Sequence, residues 1–406
     1  MNHATAIVVS GIGVVSPHGD DTARMFAALM RGESAVHEVF PELAKPAAAA
    51  TVAFDETRWF TKLQLAGVDR VSQLAVAAAD LALKDSGAAG AVPAQRIGVY
   101  VGCGMGGAAA LEAAYTAGNH GGRVPPLTIP AFMPNAPAAH VAMRQGVQGP
   151  VLTYAVACAS AAVAITEAAK AIRSGDIDLA IAGGSEALIV PGVIAAWQAM
   201  QTLASFAPGE AARACRPFAS DRNGFVLGEG AAFLVLEPDA QARTRGARRY
   251  AELAGWGLSC DATHLTKPDA PGQQRALRAA LALADLQPAD VGYCNAHGTA
   301  TKVGDVIEAT ALREVWGGAI DDLRVSSTKA LHGHLLGATG ALEAVVTVLA
   351  LQHGELPPNA NCASADPACR LNLVLSRGEA TPGLRAAISN SFAFGGTNSV
   401  LLFKRA

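Results

Sequence analysis

Two kinds of apolar run alternate along the chain. Short runs without polar alternation recur at residues 6–9, 96–101, 151–154, 179–182 and 231–236, and again at 250–257, 291–296, 325–327, 386–389 and 400–403. Such runs read as strands buried on both faces. Small residues follow several of them, as in Ser10-Gly11-Ile12-Gly13 and Gly102-Cys103-Gly104-Met105-Gly106-Gly107. Helical spacing or composition marks residues 22–31, 69–86, 160–173, 240–250, 272–285, 305–315 and 341–351. Ser174-Gly175 closes the third of these and Gly87 the second. The proline-rich stretch 125–137 reads as a loop, and 329–340 as a polar turn punctuated by glycine. The alanine-rich stretch 45–53 carries no periodic signal.

Strand, turn and helix thus repeat twice in the same rhythm. The pattern predicts an α/β fold with a parallel-rich sheet covered by helices. The basic segment 240–250 is the natural boundary between the halves, giving residues 1–247 and 248–406.

Composition narrows the class. Hydrophobic residues are 51% of the 406 and charged residues 16%, which predicts extensive burial and a large subunit interface. The net charge of −3 and the lack of any basic block argue against nucleic acid. Seven irregularly spaced cysteines with no CxxC fit neither a disulfide framework nor a zinc site, and suit a reducing cytoplasm. No signal peptide is evident in the opening residues. The apolar runs near Leu179 and Leu335 are broken by Glu186 and Glu343, so no membrane span is expected.

Candidate chemistry centres on Cys158, in the sequence VLTYAVACASAAVAITEAAKAIRS. The cysteine lies where a strand turns sharply into a helix, among residues small enough for a tight elbow. Backbone N–H groups and the helix dipole at such a point favour negative charge. The expectation is a lowered thiol pKa and a covalent nucleophile. Buried cysteines also serve as plain filling. Three later segments bear on the choice: NAHGTAT at 295–301, STKALHGHLLGATG at 327–340 and NSFAFGGTN at 390–398. Singly, each has a structural account, and His332 with His334 lacks a third metal ligand at sensible spacing.

Together with Cys158, and with AIVVSGIGVVSP at 6–17 and RPFASDRNGFVLGEGAAFLVLE at 216–237, these segments resemble the elongating β-ketoacyl-[acyl-carrier-protein] synthases. The resemblance spans nearly the whole chain in the family's order. It implies the thiolase fold, two pseudo-equivalent halves in five αβαβα layers, and a homodimer or a heterodimer with a related subunit. It implies a decarboxylative Claisen condensation with Cys158 acylated and with His297 and His334 acting on the malonyl thioester. By the same resemblance Lys329 supports the site and Glu343 pairs within it. The backbone of Cys158 and Phe394 forms the oxyanion hole, and Phe392 and Phe394 form a gate. Thr299 and Thr301 touch the phosphopantetheine arm, while Met105 and Trp197 border the acyl tunnel. No metal and no cofactor is implied beyond the arm carried by the acyl carrier protein.

Several positions depart from the family pattern. His332 stands where threonine is common and would compete with His334 as a donor. Ala393 stands for a glycine in the gate, and Gln201 for an arginine on the docking face. Basic docking residues are few, leaving Arg70 and Arg123 as candidates. A chain-length-factor-like partner subunit is the alternative of another class, and the presence of Cys158 speaks against it. A thiolase or an acyl-CoA starter synthase would carry a different partner set beside the cysteine.

Overall fold

The computed structural model describes residues 5–375 and 377–406. Eleven strands build the main sheet, ten of them in two groups of five. The first group is β1 (Ile7–Val15), β2 (Ile97–Gly102), β3 (Val151–Tyr154), β4 (Leu179–Glu186) and β5 (Gly230–Pro238). The second is β6 (Ala251–Cys260), β7 (Tyr293–Asn295), β8 (Arg324–Ser326), β9 (Ala386–Phe392) and β10 (Thr397–Lys404). From the centre outward the first group runs β1-β5-β4-β2-β3 and the second β6-β10-β9-β7-β8, with Asn372–Leu373 on its edge. The two groups therefore repeat one topology. A two-residue antiparallel ladder, Val8 with Glu252 and Val9 with Ala251, joins them.

The sheet is less parallel than the sequence pattern predicts. The inner ladders β1–β5, β5–β4, β6–β10 and β10–β9 are antiparallel, whereas β4–β2–β3 and β9–β7–β8 are parallel. All strands but the edge strand β3, where Val151 and Leu152 are exposed, are largely buried. Complete burial removes polar alternation from antiparallel strands as thoroughly as from parallel ones, so composition does not separate them.

Helices complete five layers. On one outer face lie α1 (Arg70–Ser86) and α2 (Ala136–Gln145). Between the two halves of the sheet lie α3 (Ser160–Ser174) and α6 (Thr339–His353). On the other outer face lie α4 (Ala270–Ala284) and α5 (Gly304–Trp316). This is the αβαβα stack of the thiolase fold. Helix α6 is buried from Thr339 through Leu351, which explains its lack of a polar face. The apolar stretch Leu336–His353 is long enough to cross a membrane but is 89% buried inside the fold.

Three local expectations need correction. The stretch 125–137 contains the short helix Thr128–Phe132 and the start of α2, where Pro137 occupies the first turn. Proline is tolerated there because its missing N–H has no helical partner. Residues 45–53 include the buried strand Ala47–Ala50, paired with Val36–Val39 and Leu227–Gly228 in a small sheet. Of residues 240–250 only 240–244 are helical, within the helix Asp239–Thr244. Alanine-rich and charged segments carry little signal of their own, and tertiary pairing decides them.

The central layer is thin because its contacts are small. A side chain at Gly102 would run into the backbone of Ser160 and Ala161 at the start of α3. Gly184 approaches Ala161 and Ala338, and Gly340 approaches Ala162. Gly102→Ala should therefore push α3 off the sheet. The expected loss is about 1–3 kcal/mol in urea unfolding, together with slower alkylation of Cys158. A variant of parent stability would mean that α3 moves aside freely.

Candidate active site

The strand-to-helix elbow forms as the sequence predicts, with one addition. Strand β3 ends at Tyr154, Ala157–Ala159 makes a 3₁₀ turn, and α3 begins at Ser160. The Ser160 hydroxyl donates to the Ala157 carbonyl and accepts from the Val156 N–H, closing the bend. Ala157 sits at φ 49°, a left-handed conformation that costs an L-residue on the order of 1–2 kcal/mol. That strain turns Cys158 out of the strand line into a cavity of about 550 Å³.

Two histidines from the second half face the sulfur across this cavity. His334 Nε2 lies 3.1 Å from Cys158 Sγ. Its Nδ1 accepts from the Leu336 N–H at 3.2 Å and lies 2.8 Å from the Thr339 hydroxyl. A nitrogen that accepts a backbone N–H carries no hydrogen in the neutral ring, which assigns the hydrogen to Nε2. The His297 ring lies 5.5 Å from that of His334, nearly perpendicular to it. Its backbone N–H and that of Gly298 both donate to Glu308, at 2.8 and 2.7 Å, and Asn390 also donates to this carboxylate. Glu308 and Asn390 are thus supports that sequence reasoning missed. Glu308 falls three residues after Asp305 on α5, a helical position with no signal of its own.

Lys329 and Glu343 meet at 2.5 Å with both side chains fully buried. Burial pushes the Glu343 carboxyl up to about 7, against the pull of the lysine charge. The same lysine charge reaches both histidines. Burial lowers the pKa of His297 and of His334 well below the ordinary value, the Lys329 charge adds to this, and so does the other ring or His332. Both rings are neutral at physiological pH.

The thiol departs from expectation. Burial pushes Cys158 up to about 11, outweighing the Lys329 charge and the backbone N–H groups of Phe394 and of Cys158 itself. The elbow and its donors are present, yet the loss of water around the sulfur exceeds what they return. The resting site is a neutral thiol beside neutral imidazoles. The sulfur and ring nitrogens lie within 4.8 Å of one another. Tetrahedral zinc, with bonds of ~2.0–2.3 Å, would draw such donors to about 3.5 Å apart.

The other predicted residues divide. Phe392, Phe394, Thr299, Thr301 and Trp197 all line the cavity. Trp197 packs edge-on against Phe225 at 5.2 Å and against Phe394 at 6.2 Å, and the two threonine hydroxyls lie 3.1 Å apart. Met105 does not line the cavity and is 51% exposed, which corrects its placement in the tunnel of the single chain. Its loop hangs on Glu186, which is wholly buried and accepts N–H groups from Gly104, Met105 and Gly337. His332 is no competing donor: Nδ1 donates to the Gly333 carbonyl at 2.7 Å, Nε2 accepts from Thr328 at 2.9 Å, and the ring is outside the cavity. Arg70 is spent on an ion pair with buried Glu229 and a bond to the Val52 carbonyl, so it is no free docking cation. Arg123 is exposed. Ala393 fits without strain, since the left-handed residues of the gate turn are Gly395 and Gly396.

Comparison with known proteins gives the family. The N-terminal domain of the beta-ketoacyl synthases matches residues 4–242 and their C-terminal domain residues 250–363. Nodulation protein E of Rhizobium meliloti is 42% identical, covering 98% of this chain and 99% of that protein. The 3-oxoacyl-[acyl-carrier-protein] synthase 2 of Staphylococcus aureus (strain COL) is 36% identical, covering 100% and 99%. Among solved structures, the ishigamide ketosynthase/chain length factor superposes with a TM-score of 0.92 at 30% identity, covering 99% of this chain and 100% of that one. A beta-ketoacyl synthase from Burkholderia phymatum STM815 superposes with a TM-score of 0.91 at 34% identity over the same shares. With both domains matched in order and full-length relatives well above 30% identity, the chain belongs to the beta-ketoacyl synthase family.

Proposed function

We propose that the chain elongates an acyl group held on Cys158 by decarboxylative condensation with a malonyl thioester borne on an acyl carrier protein. The observation that carries this reading is the meeting of Cys158 Sγ, His334 Nε2 at 3.1 Å and the His297 ring in one cavity. Attack of Cys158 on an acyl thioester makes an oxyanion, for which the N–H groups of Cys158 and Phe394 are the donors. The carrier thiolate leaves with the proton that the cysteine loses, so no proton stays on histidine. The malonyl carbonyl then accepts from the Nε2–H of His334 and from His297. Carbon dioxide departs, and the oxygen of the resulting enolate stays under the same donors. The enolate carbon attacks the acyl-Cys carbonyl. Collapse frees the Cys158 thiolate, which regains a proton, and the β-ketoacyl chain stays on the carrier. Lys329 serves by keeping both rings unprotonated. These steps call for no metal or cofactor other than the carrier's arm.

The partners follow the relatives. One related structure is a type II polyketide acyl-carrier protein in complex with its ketosynthase, and another pairs a ketosynthase with its chain length factor. Exposed Met105, Tyr115, Ile129, Val151 and Leu152 supply an apolar face for a second subunit of this kind. A role as a partner subunit alone is disfavoured by the intact cysteine and both histidines. Seven unpaired cysteines suit a cytoplasmic location.

Five outcomes test the reading. Incubation with acyl-carrier protein should add one acyl mass to Cys158, and Cys158→Ser should abolish it; label on Cys103 or Cys294 would redirect the assignment. His297→Ala or His334→Ala should slow decarboxylation of malonyl-carrier by about 10²–10³-fold while acyl-Cys still forms, and the parent rate in the double variant would refute the role. Because both rings have lowered pKa values, decarboxylation should stay level as pH falls from 8 to 6. Alkylation of Cys158 by iodoacetamide should instead climb with pH up to about 10, as thiolate accumulates toward about 11. A plateau below pH 8 would contradict the raised thiol. Lys329→Met should destabilise the fold by ~3–5 kcal/mol by stranding Glu343, and Lys329→Met/Glu343→Gln should recover most of that loss. Equal stability of the single and double variants in urea would mean that the pair is not coupled.

A further inference from the structure

Outside the reacting groups, one fully buried side chain of the described cavity lining has a polar atom with nothing to bind; Thr202 Oγ1 and Asn223 Oδ1 are also without a partner, but these two side chains are only half-buried. Gln273, in the first turn of α4, lines the cavity and is 1% exposed. Its Oε1 has no hydrogen-bond partner among the described residues. A buried carboxamide oxygen left unpaired is destabilising, and native folds keep such a group where a ligand completes it. The rim beside it is basic. Lys267 and Lys302 both line the cavity, and neither forms an ion pair among the described residues. Glu308 is the one acid in the described lining, and it is already engaged by His297, Gly298 and Asn390. An anion at this mouth therefore meets two free cations and no competing carboxylate.

We infer that Gln273 and the lysine pair Lys267 and Lys302 read the carrier's arm at two points, a secondary amide at Gln273 and the phosphate at the lysines. The inference rests on the ketosynthase reading, which puts a phosphopantetheine thioester through this cavity to Cys158. That arm has the matching order of groups: thioester, two amides, then phosphate. Gln273 lies in the first turn of the helix that follows the Leu265–Pro268 rim, six residues after Lys267, so amide and phosphate contacts fall on the same side of the mouth. An acyl chain with an amide of its own would offer Gln273 the same N–H donor, and the choice of probes separates the two sources.

The test measures acylation of Cys158 by intact mass with three donors carrying one plain saturated acyl group. These are the acyl-phosphopantetheine, the acyl-pantetheine and a simple alkyl thioester. Gln273→Leu should raise the half-saturating concentration of both pantetheine donors by roughly tenfold and leave the alkyl thioester unchanged. Lys267→Met/Lys302→Met should weaken only the phosphorylated donor, by about five- to tenfold at low salt, and the difference should shrink as salt rises. Equal slowing of all three donors would mean a structural role for Gln273, and no slowing of any would mean no contact; either overturns the amide site. A fourth donor, the alkyl thioester with an amide placed in its acyl chain, covers the other source: a loss confined to that donor would assign Gln273 to the chain instead of the arm and would likewise overturn it. Loss of the dephosphorylated donor in the lysine variant would overturn the phosphate contact. Failure of the parent protein to take acyl from any carrier thioester would refute the ketosynthase reading itself, and is told apart because it precedes any variant.

Discussion

Everything at the site depends on how closely the two central helices can lie against the sheet. Cys158 comes from the first half of the chain, and both histidines and Lys329 from the second. A hydrogen bond of 3.1 Å between Cys158 and His334 spans that divide. It is possible because Gly102, Gly184 and Gly340 face Ser160, Ala161, Ala162 and Ala338 with no bulk between them. Packing at this density transmits any added methyl as a displacement. The alanine-rich composition of α3 is therefore a geometric requirement of the chemistry as well as a helix signal.

Burial then sets the electrostatics, and one cation organises them. Water is excluded from Cys158, His297, His334, Lys329 and Glu343 alike. Exclusion raises the thiol and the carboxyl and lowers both imidazoles. The Lys329 charge works with burial at the histidines and against it at the cysteine and the glutamate. One buried ammonium thus keeps two hydrogen-bond donors in their neutral form and tempers the desolvation of the nucleophile.

The candidate site residues were legible because each falls in or beside a turn whose letters stand out from the apolar runs around it. Cys158 in its elbow, His297 after β7, His334 before α6 and the Phe392–Gly396 turn after β9 all stood out in sequence. Their supports did not. Glu308 and Glu186 act through backbone N–H groups contributed by distant loops, and a lone glutamate in an apolar stretch carries no mark of that task. Arg70 looked free because its partner Glu229 is 159 positions away. The sheet's mixed direction was hidden for the same reason as the strand Ala47–Ala50: burial on every side erases the polar alternation from which direction and edges are read. The lowered thiol pKa was expected from the helix end alone, and desolvation, which no local sequence encodes, overrode it.

Glu186 gives the molecule a mechanical property. One rigid carboxylate ties the exposed Met105 loop to Gly337, and the same 3₁₀ turn contains Leu336, whose N–H fixes the tautomer of His334. The exposed Met105 loop and the turn that sets the His334 tautomer thus hang on one buried carboxylate, so a change at Glu186 would loosen a surface loop and an interior ring together.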